Sequence, residues 1–446
     1  MQMNEADKET AEEQQSLGYA WYMVALCMVA YIFSFIDRQI ITLLVDPIRA
    51  DLQISDTQFS LLTGLAFALF YASMGIPIAR LADTKSRPMI IAVGVFLWSL
   101  ATAFCGLTRA FWQLFIARMA VGVGEAALSP AAYSMITDSF PKSKLGRALG
   151  IYSLGIPIGS GLAILIGGTV IDYIAGFGLI DLPLVGTLKP WQLTFIAVGL
   201  PGVLVAALFI ITIRDPERKG SIRASGFSLR EVGGYIAENK KVFFSHYAGF
   251  GFSALSMFAI LFWAPAYLGR NYGLQSSEIG WYLGIVMLVM VTSGVFSAGW
   301  LTDLFTRRGY DDAPMRAGLV GCIGTIVPAA LFPFMPNLYA SLFMIGLALF
   351  FGNYSPPTSA AACQVMAPNQ MRAQVTALFF LSMNLLGIAG GNILVALGTD
   401  YIFRDDMKVG YSMAMMSTIG AVIGAMILAN GLKSFSATVK EVSRRA

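Results

Sequence analysis

Ala79-Arg80-Leu81-Ala82-Asp83-Thr84-Lys85-Ser86-Arg87 and Gly299-Trp300-Leu301-Thr302-Asp303-Leu304-Phe305-Thr306-Arg307-Arg308 carry one pattern twice. In each an aspartate is followed four residues later by an arginine, and the two copies lie 220 residues apart. The apolar block before each copy keeps the register, because Gly64 falls on Gly284 at the same offset. Further along, Gly124 falls on Gly352 and Pro141 on Pro368, at offsets of 228 and 227. A chain that repeats itself in one direction over half its length is expected to fold as two like halves.

Around these copies the chain is strongly apolar. Of its 446 residues 57% are hydrophobic and 13% charged, against about 25% charged in soluble domains. The apolar residues come in long blocks, and about 20 in a row span a bilayer as a helix. Blocks and polar breaks predict spans at 20–44, 57–80, 88–107, 111–138, 145–171, 191–213, 242–269, 277–302, 315–335, 337–362, 372–399 and 409–432. The fold class is therefore an all-α membrane protein of twelve transmembrane helices in two six-helix halves. Its expected parts are a disordered cytoplasmic tail at 1–17, bundles at 18–213 and 242–435, a cytoplasmic linker at 214–241 and a tail at 436–446. With the N-terminus inside, inner segments hold 22 of the 30 lysines and arginines and outer loops six. The bias puts both termini in the cytoplasm, and the short loops suggest a bacterial inner membrane.

Several classes of function are disfavoured. The net charge of +4 is too small to imply a nucleic-acid partner. Residues 1–16 are polar and mostly acidic, unlike a cleaved signal peptide. Cys27, Cys105, Cys322 and Cys363 lie in apolar runs without metal-type spacing, and the single histidine, His246, begins a predicted span. No metal or cofactor is expected. No GxxxxGK[ST] loop is present, which disfavours nucleotide drive, and no histidine cluster or Cys/His pairing suggests an enzyme.

The motifs resemble those of the major facilitator superfamily over the whole chain. Leu81 to Arg87 looks like its loop 2–3 signature, with Ala79 in place of the usual first glycine, which the 8–9 copy keeps at Gly299. Arg118-Met119-Ala120-Val121-Gly122-Val123-Gly124-Glu125 resembles its helix-4 signature, and Gly155-Ile156-Pro157-Ile158-Gly159-Ser160-Gly161 its helix-5 signature. Within the superfamily, Phe35-Ile36-Asp37-Arg38 and the helix-4 and helix-5 stretches resemble the spinster family. That resemblance implies a transporter of sphingoid lipids or lysolipids. It also implies that Asp83 touches the start of helix 11, near Arg372, when the cytoplasmic side is closed. Arg147 would be a further partner. Asp83, Arg87, Arg147, Asp303 and Arg307 are thus candidate cytoplasmic gate residues.

Four charges fall at membrane depth: Asp37, Arg38, Arg118 and Glu125. Each costs about 2.5–3.5 kcal/mol at a helix centre, so they are expected to face the bundle interior and pair. Arg118 and Glu125 are two turns apart on one helix face, about 10 Å along the axis. Helix 1 is the expected neighbour, with Asp37 pairing to Arg118. Asp37 and Arg38 point about 100° apart. At the repeat offsets the four charges fall on Met257, Phe258, Gly346 and Asn353, so the second half offers a mostly apolar wall. The four could form a structural network locking helix 1 to helix 4. Alternatively a carboxylate, Glu125 first and Asp37 second, takes and releases a proton as its pairing changes, while Arg38 and Arg118 hold an anion or the carboxylates.

The expected function is secondary transport by alternating access, driven by protons, of an amphipathic lipid such as a sphingoid or lysophospholipid. The alternatives are a carrier or exporter of small organic anions or drugs, and a non-transporting sensor on a transporter fold. The expected partners are the small amphipathic substrate, protons and membrane lipids, with the chain a monomer.

Overall fold

The computed structural model of the chain describes residues 5–183, 186–218, 229–368 and 371–445. Twelve helices among the described residues are long and apolar enough to cross a membrane. They are Leu17–Leu43, Asp56–Thr84, Arg87–Cys105, Phe111–Ser139, Lys144–Ala175 and Pro190–Thr212, then Lys240–Tyr272, Ser276–Arg307, Ala313–Phe334, Leu338–Met366, Gln374–Phe403 and Asp406–Val442. They are called spans 1 to 12 below. Each overlaps its sequence-predicted block, with ends displaced by a few residues, because uninterrupted apolar runs leave the backbone no partner but its own helix.

One part differs from expectation, and two others are found to carry helix. The acidic stretch read as a disordered tail is helical from Glu5, continuous with span 1 to Gln39; Met1 to Asn4 lie outside the described residues. The C-terminal stretch from 436 likewise continues span 12 as helix to Arg445. The linker contains a helix, Leu229–Glu238, whose Val232 is buried and whose Tyr235 and Ile236 pack on the same core; residues 219–228 lie outside the described residues. The 5–6 connection also forms a short antiparallel hairpin, Ile180–Leu182 with Gly186–Leu188.

The chain divides into two compact units that do not coincide with its sequence halves. Unit 1 comprises residues 1–41, 69–163 and 170–221; unit 2 comprises 42–68, 164–169 and 222–446. Unit 2 therefore takes in the 1–2 connection, the first half of span 2 and six residues of span 5.

Three spans break in mid-course, and a proline explains each break. Span 4 is interrupted at Ala126–Ala127, between Phe111–Glu125 and Leu128–Ser139. Span 5 is interrupted at Leu154, and span 10 at Asn353–Tyr354. Pro130, Pro157 and the Pro356-Pro357 pair follow within four residues and remove the donors that would close the ladder there. Pro265, by contrast, lies inside span 7, which is helical from Lys240 to Tyr272.

Candidate functional site

The four intramembrane charges meet inside unit 1, on spans 1 and 4. Span 1 can reach its neighbours because span 5 offers glycine where the two cross: a Cβ on Gly159 would lie 2.9 Å from Phe35 Cβ and 3.0 Å from the Ile32 backbone. Span 4 approaches span 3 in the same way, since a Cβ on Gly124 would stand 2.8 Å from the Trp98 backbone nitrogen. These approaches fix where Asp37, Arg38, Arg118 and Glu125 fall.

Glu125 sits at the last residue of the first segment of span 4 and is 1% exposed. One of its oxygens, Oε2, takes two donors from span 1. Arg38 Nε donates at 2.6 Å and Ser34 Oγ at 2.6 Å. Ser34 and Arg38 are four residues apart and so share a helix face. The other oxygen, Oε1, is buried and receives no hydrogen bond from the protein. The Arg38 guanidinium lies over the Phe35 ring at 5.0 Å and the Tyr71 ring at 4.7 Å, and its side chain keeps 16% exposure.

Asp37 lies on the adjoining face of span 1. Its Oδ2 accepts from Thr102 Oγ1 of span 3 at 3.2 Å, while Oδ1 is buried without a hydrogen bond. Arg118 is fully buried, and its Nη1 donates to the main-chain carbonyl of Asp37 at 3.2 Å. The guanidinium–carboxylate pair anticipated between Asp37 and Arg118 is instead made by Arg38 and Glu125, and Arg118 meets Asp37 through the backbone. Arg118 and Glu125 both reach span 1, as two positions on one helix face should.

At the repeat-related positions unit 2 carries no charge. Met257 packs on Gly352, and Phe258 stacks on Phe262 at 5.7 Å. Asn353, which falls where Glu125 does, turns its amide back on its own helix and donates to Leu349 O at 2.7 Å. The single histidine is a core residue: His246 is fully buried, and its Nε2 donates to Ser359 O at 3.0 Å. All four cysteines are free and buried.

The expected gate residues separate into two kinds. Arg87 is fully buried, contrary to an exposed gate role. Its Nε donates to Asp215 at 2.7 Å, and its other nitrogens to Ser134 Oγ at 2.9 Å, Pro216 O at 2.6 Å and the Asp138 carboxylate. It ties the start of span 3 to the end of span 4 and to the chain leaving span 6. Asp83, Arg147, Asp303 and Arg307 are exposed. Arg147 lies over the Trp21 ring at 5.8 Å, and within unit 1 it forms no ion pair with Asp83. Arg218 donates to the carbonyls of Ala82 at 3.0 Å, Lys85 at 2.7 Å and Asp83, capping the end of span 2.

Ser34, Thr102 and Tyr71 complete the charged site and were not singled out from sequence. Ser34 had a legible signal, its place one turn before Arg38. Thr102 and Tyr71 had none, because neither is near the charges in sequence.

The family model described as Major Facilitator Superfamily matches residues 27–391. The chain belongs to the major facilitator superfamily. It is a multi-pass membrane transporter and not an enzyme, and spinster proteins are among its relatives and structural neighbours. It is 24% identical over 413 residues to an MFS-type efflux pump of Mycolicibacterium smegmatis, covering 91% of each chain. It is 24% identical over 460 residues to a sphingosine-1-phosphate transporter of Xenopus tropicalis, covering 95% of this chain and 85% of the relative. Among solved structures it is similar to a bacterial homologue of the human lysosomal transporter Spinster in an inward-facing, unoccupied conformation. The TM-score is 0.76 at 26% identity, over 96% of this chain and 98% of the other.

Proposed function

We propose that this transporter works by alternating access, takes its energy from protons, and moves an amphipathic lipid of the sphingoid or lysophospholipid type. The observation that carries the proposal is the asymmetric carboxylate of Glu125. Its Oε2 is held by Arg38 and Ser34, while Oε1 is buried without a protein donor. In the proposed cycle a movement or ligand draws Arg38 away from Glu125, Glu125 takes up the coupled proton, and return of Arg38 releases it. Asp37 is the second carrier. Arg38 keeps partial exposure, which suits it to leave Glu125 for an anionic head group.

The lipid assignment rests on the contrast between the charged site and the apolar repeat positions around Met257 and Phe258, and on the sphingosine-1-phosphate transporter among the relatives. Asp83, Arg147, Asp303 and Arg307 serve as cytoplasmic gate residues, with Arg87 as the buried anchor beneath them. The chain sits in a bacterial inner membrane as a monomer, both termini in the cytoplasm, because the basic residues concentrate on that side. A second reading, export of small organic anions or drugs by the same machinery, is favoured by the efflux pump among the relatives.

The test is flux in sealed vesicles under an imposed pH gradient, comparing a lysolipid or sphingoid probe with a small organic anion, in the unmodified chain and in Glu125→Gln. Gradient-driven lipid movement is expected, and Glu125→Gln should remove its dependence on the gradient. Movement of the anion alone would replace the lipid by the second substrate class. Lipid flux indifferent to gradient and substitution would end the coupling role of Glu125.

A further inference from the structure

The connection between spans 5 and 6 is long, and its composition suits lipid better than water. Of the fourteen residues 176–189, seven are Phe, Leu, Ile or Val, and the only charges are Asp181 and Lys189. The twelve residues 44–55 between spans 1 and 2, by contrast, carry Asp46, Arg49 and Asp51. Connections that stand in water are ordinarily polar.

The connection has a fixed shape. Gly176, Phe177 and Gly178 donate their N–H groups back to Asp172, Ile174 and Ala175, at 3.2, 3.1 and 3.1 Å. Gly178 then takes a φ of 64°, a left-handed helix stop that glycine adopts without strain. The hairpin that follows pairs Ile180 with Leu188 and Asp181 with Thr187. Successive strand residues face opposite sides. Leu188 is fully buried and marks the side turned to the bundle. Asp181 and Thr187 are exposed, and the Thr187 hydroxyl donates to the Asp181 carboxylate. A Cβ on Gly186 would lie 2.9 Å from Arg109 Nη2, so the hairpin sits beside the start of span 4. All of these residues belong to unit 1.

At its edges this hairpin leaves apolar side chains uncovered. Tyr173 and Phe177 are one turn apart, and their rings meet edge-on at 5.1 Å. They are 71% and 55% exposed, and Leu179 is 67% exposed. Trp112, three residues after Arg109, is 68% exposed and packs edge-on against Phe111 and Phe115. Tyr173 and Trp112 lie near the ends of membrane spans, so their uncovered rings meet lipid at the depth where tyrosine and tryptophan collect. Phe177 and Leu179 continue the Tyr173 surface past the end of span 5. A surface with one apolar and one polar side, held at the bilayer boundary, lies in the plane of the interface. We propose that the 5–6 hairpin rests in the adjoining leaflet of the bilayer. Phe177 and Leu179 enter the upper acyl chains, Asp181 and Thr187 face water, and the hairpin anchors unit 1 to the headgroup layer.

This inference involves neither substrate nor protons, so it fails or stands separately from the transport reading. The full chain carrying Leu179→Cys or Thr187→Cys is labelled with an environment-sensitive fluorophore and reconstituted one copy to a phospholipid nanodisc. The four native cysteines are buried, and the parent chain treated alike supplies the background. Iodide quenches from water, and a phospholipid with a nitroxide near the top of its acyl chain quenches from the leaflet. The nitroxide lipid should quench the label at 179 about threefold more strongly than the label at 187, and iodide should show the reverse order. Gel filtration establishes that each variant is folded, and Phe177→Cys takes the place of Leu179→Cys if the latter is not. Equal iodide quenching at the two positions would leave the hairpin in water. Protection at 179 from both quenchers would mean that protein covers it. Misfolding of both Leu179→Cys and Phe177→Cys would make these side chains packing groups. Each of these three results overturns the proposal.

Discussion

Ser34 and Arg38 deliver their donors to one oxygen of Glu125, so this carboxylate depends on span 1 for all its hydrogen bonds. Arg38→Ala would leave a buried negative charge on a single neutral donor. Breaking a buried pair from one side costs about 3–5 kcal/mol, and the 16% exposure of Arg38 puts the effect toward the lower end. Arg38→Ala alone should therefore lower the melting temperature in detergent, and adding Glu125→Gln should recover most of the loss by removing the stranded charge. Strictly additive losses in that double-mutant cycle would show that the pair is not coupled. That these charges lie in the bundle interior was legible, because the cost of facing lipid allows nothing else. Which arginine meets which carboxylate was not. Arg38 and Asp37 are adjacent in sequence, and the small rotation of span 1 against span 4 that chooses between them is set by packing.

The helices are shaped by proline and brought together by glycine. The breaks in spans 4, 5 and 10 follow from missing donors at Pro130, Pro157 and Pro356-Pro357, all of which lie inside sequence-predicted apolar blocks. Pro265 shows the limit of that signal, since span 7 is helical through it. Glycines divide in a way sequence does not reveal. Gly159 faces backbone atoms of span 1 at about contact distance, whereas a Cβ on Gly150, in the same span, would meet nothing within 4 Å. Gly159→Ala should push spans 1 and 5 apart at a cost of about 1–3 kcal/mol and disturb the Arg38–Glu125 bond. Gly150→Ala should be neutral or stabilising by up to about 1 kcal/mol through helix propensity alone. Thermal unfolding of the two variants side by side checks this, and equal shifts would refute the assigned span 1–span 5 approach.

At the scale of the molecule the two repeats use one motif for different ends. Arg87 is sealed between Asp138 and Asp215, while its counterpart Arg307 is exposed and makes no ion pair among the described residues. Arg87→Ala should cost about 3–5 kcal/mol, with a fall in melting temperature and in the yield of folded protein. Arg307→Ala should stay within about 0.5 kcal/mol. Similar losses in both would mean that the motif serves stability equally in each half. The units are likewise not the repeats: residues 42–68 belong to the first repeat by sequence and to unit 2 by contact.

The twelve spans, the doubled architecture and the four charges that must be buried are legible along the chain alone. These depend on quantities local to the chain, namely the length of an apolar run, the offset between copies and the penalty for a charge at membrane depth. The partners of those charges follow from how the helices pack. Arg49 and Arg270 are two of the six basic residues counted in outer loops, yet they converge on Asp56 from positions 7 and 214 residues away. Asp83-to-Arg87 and Asp303-to-Arg307 read as equals, yet one arginine is buried and the other is not. An ion pair is a distance in space, and in a bundle that distance is set by where distant helices cross, which no spacing along the chain records.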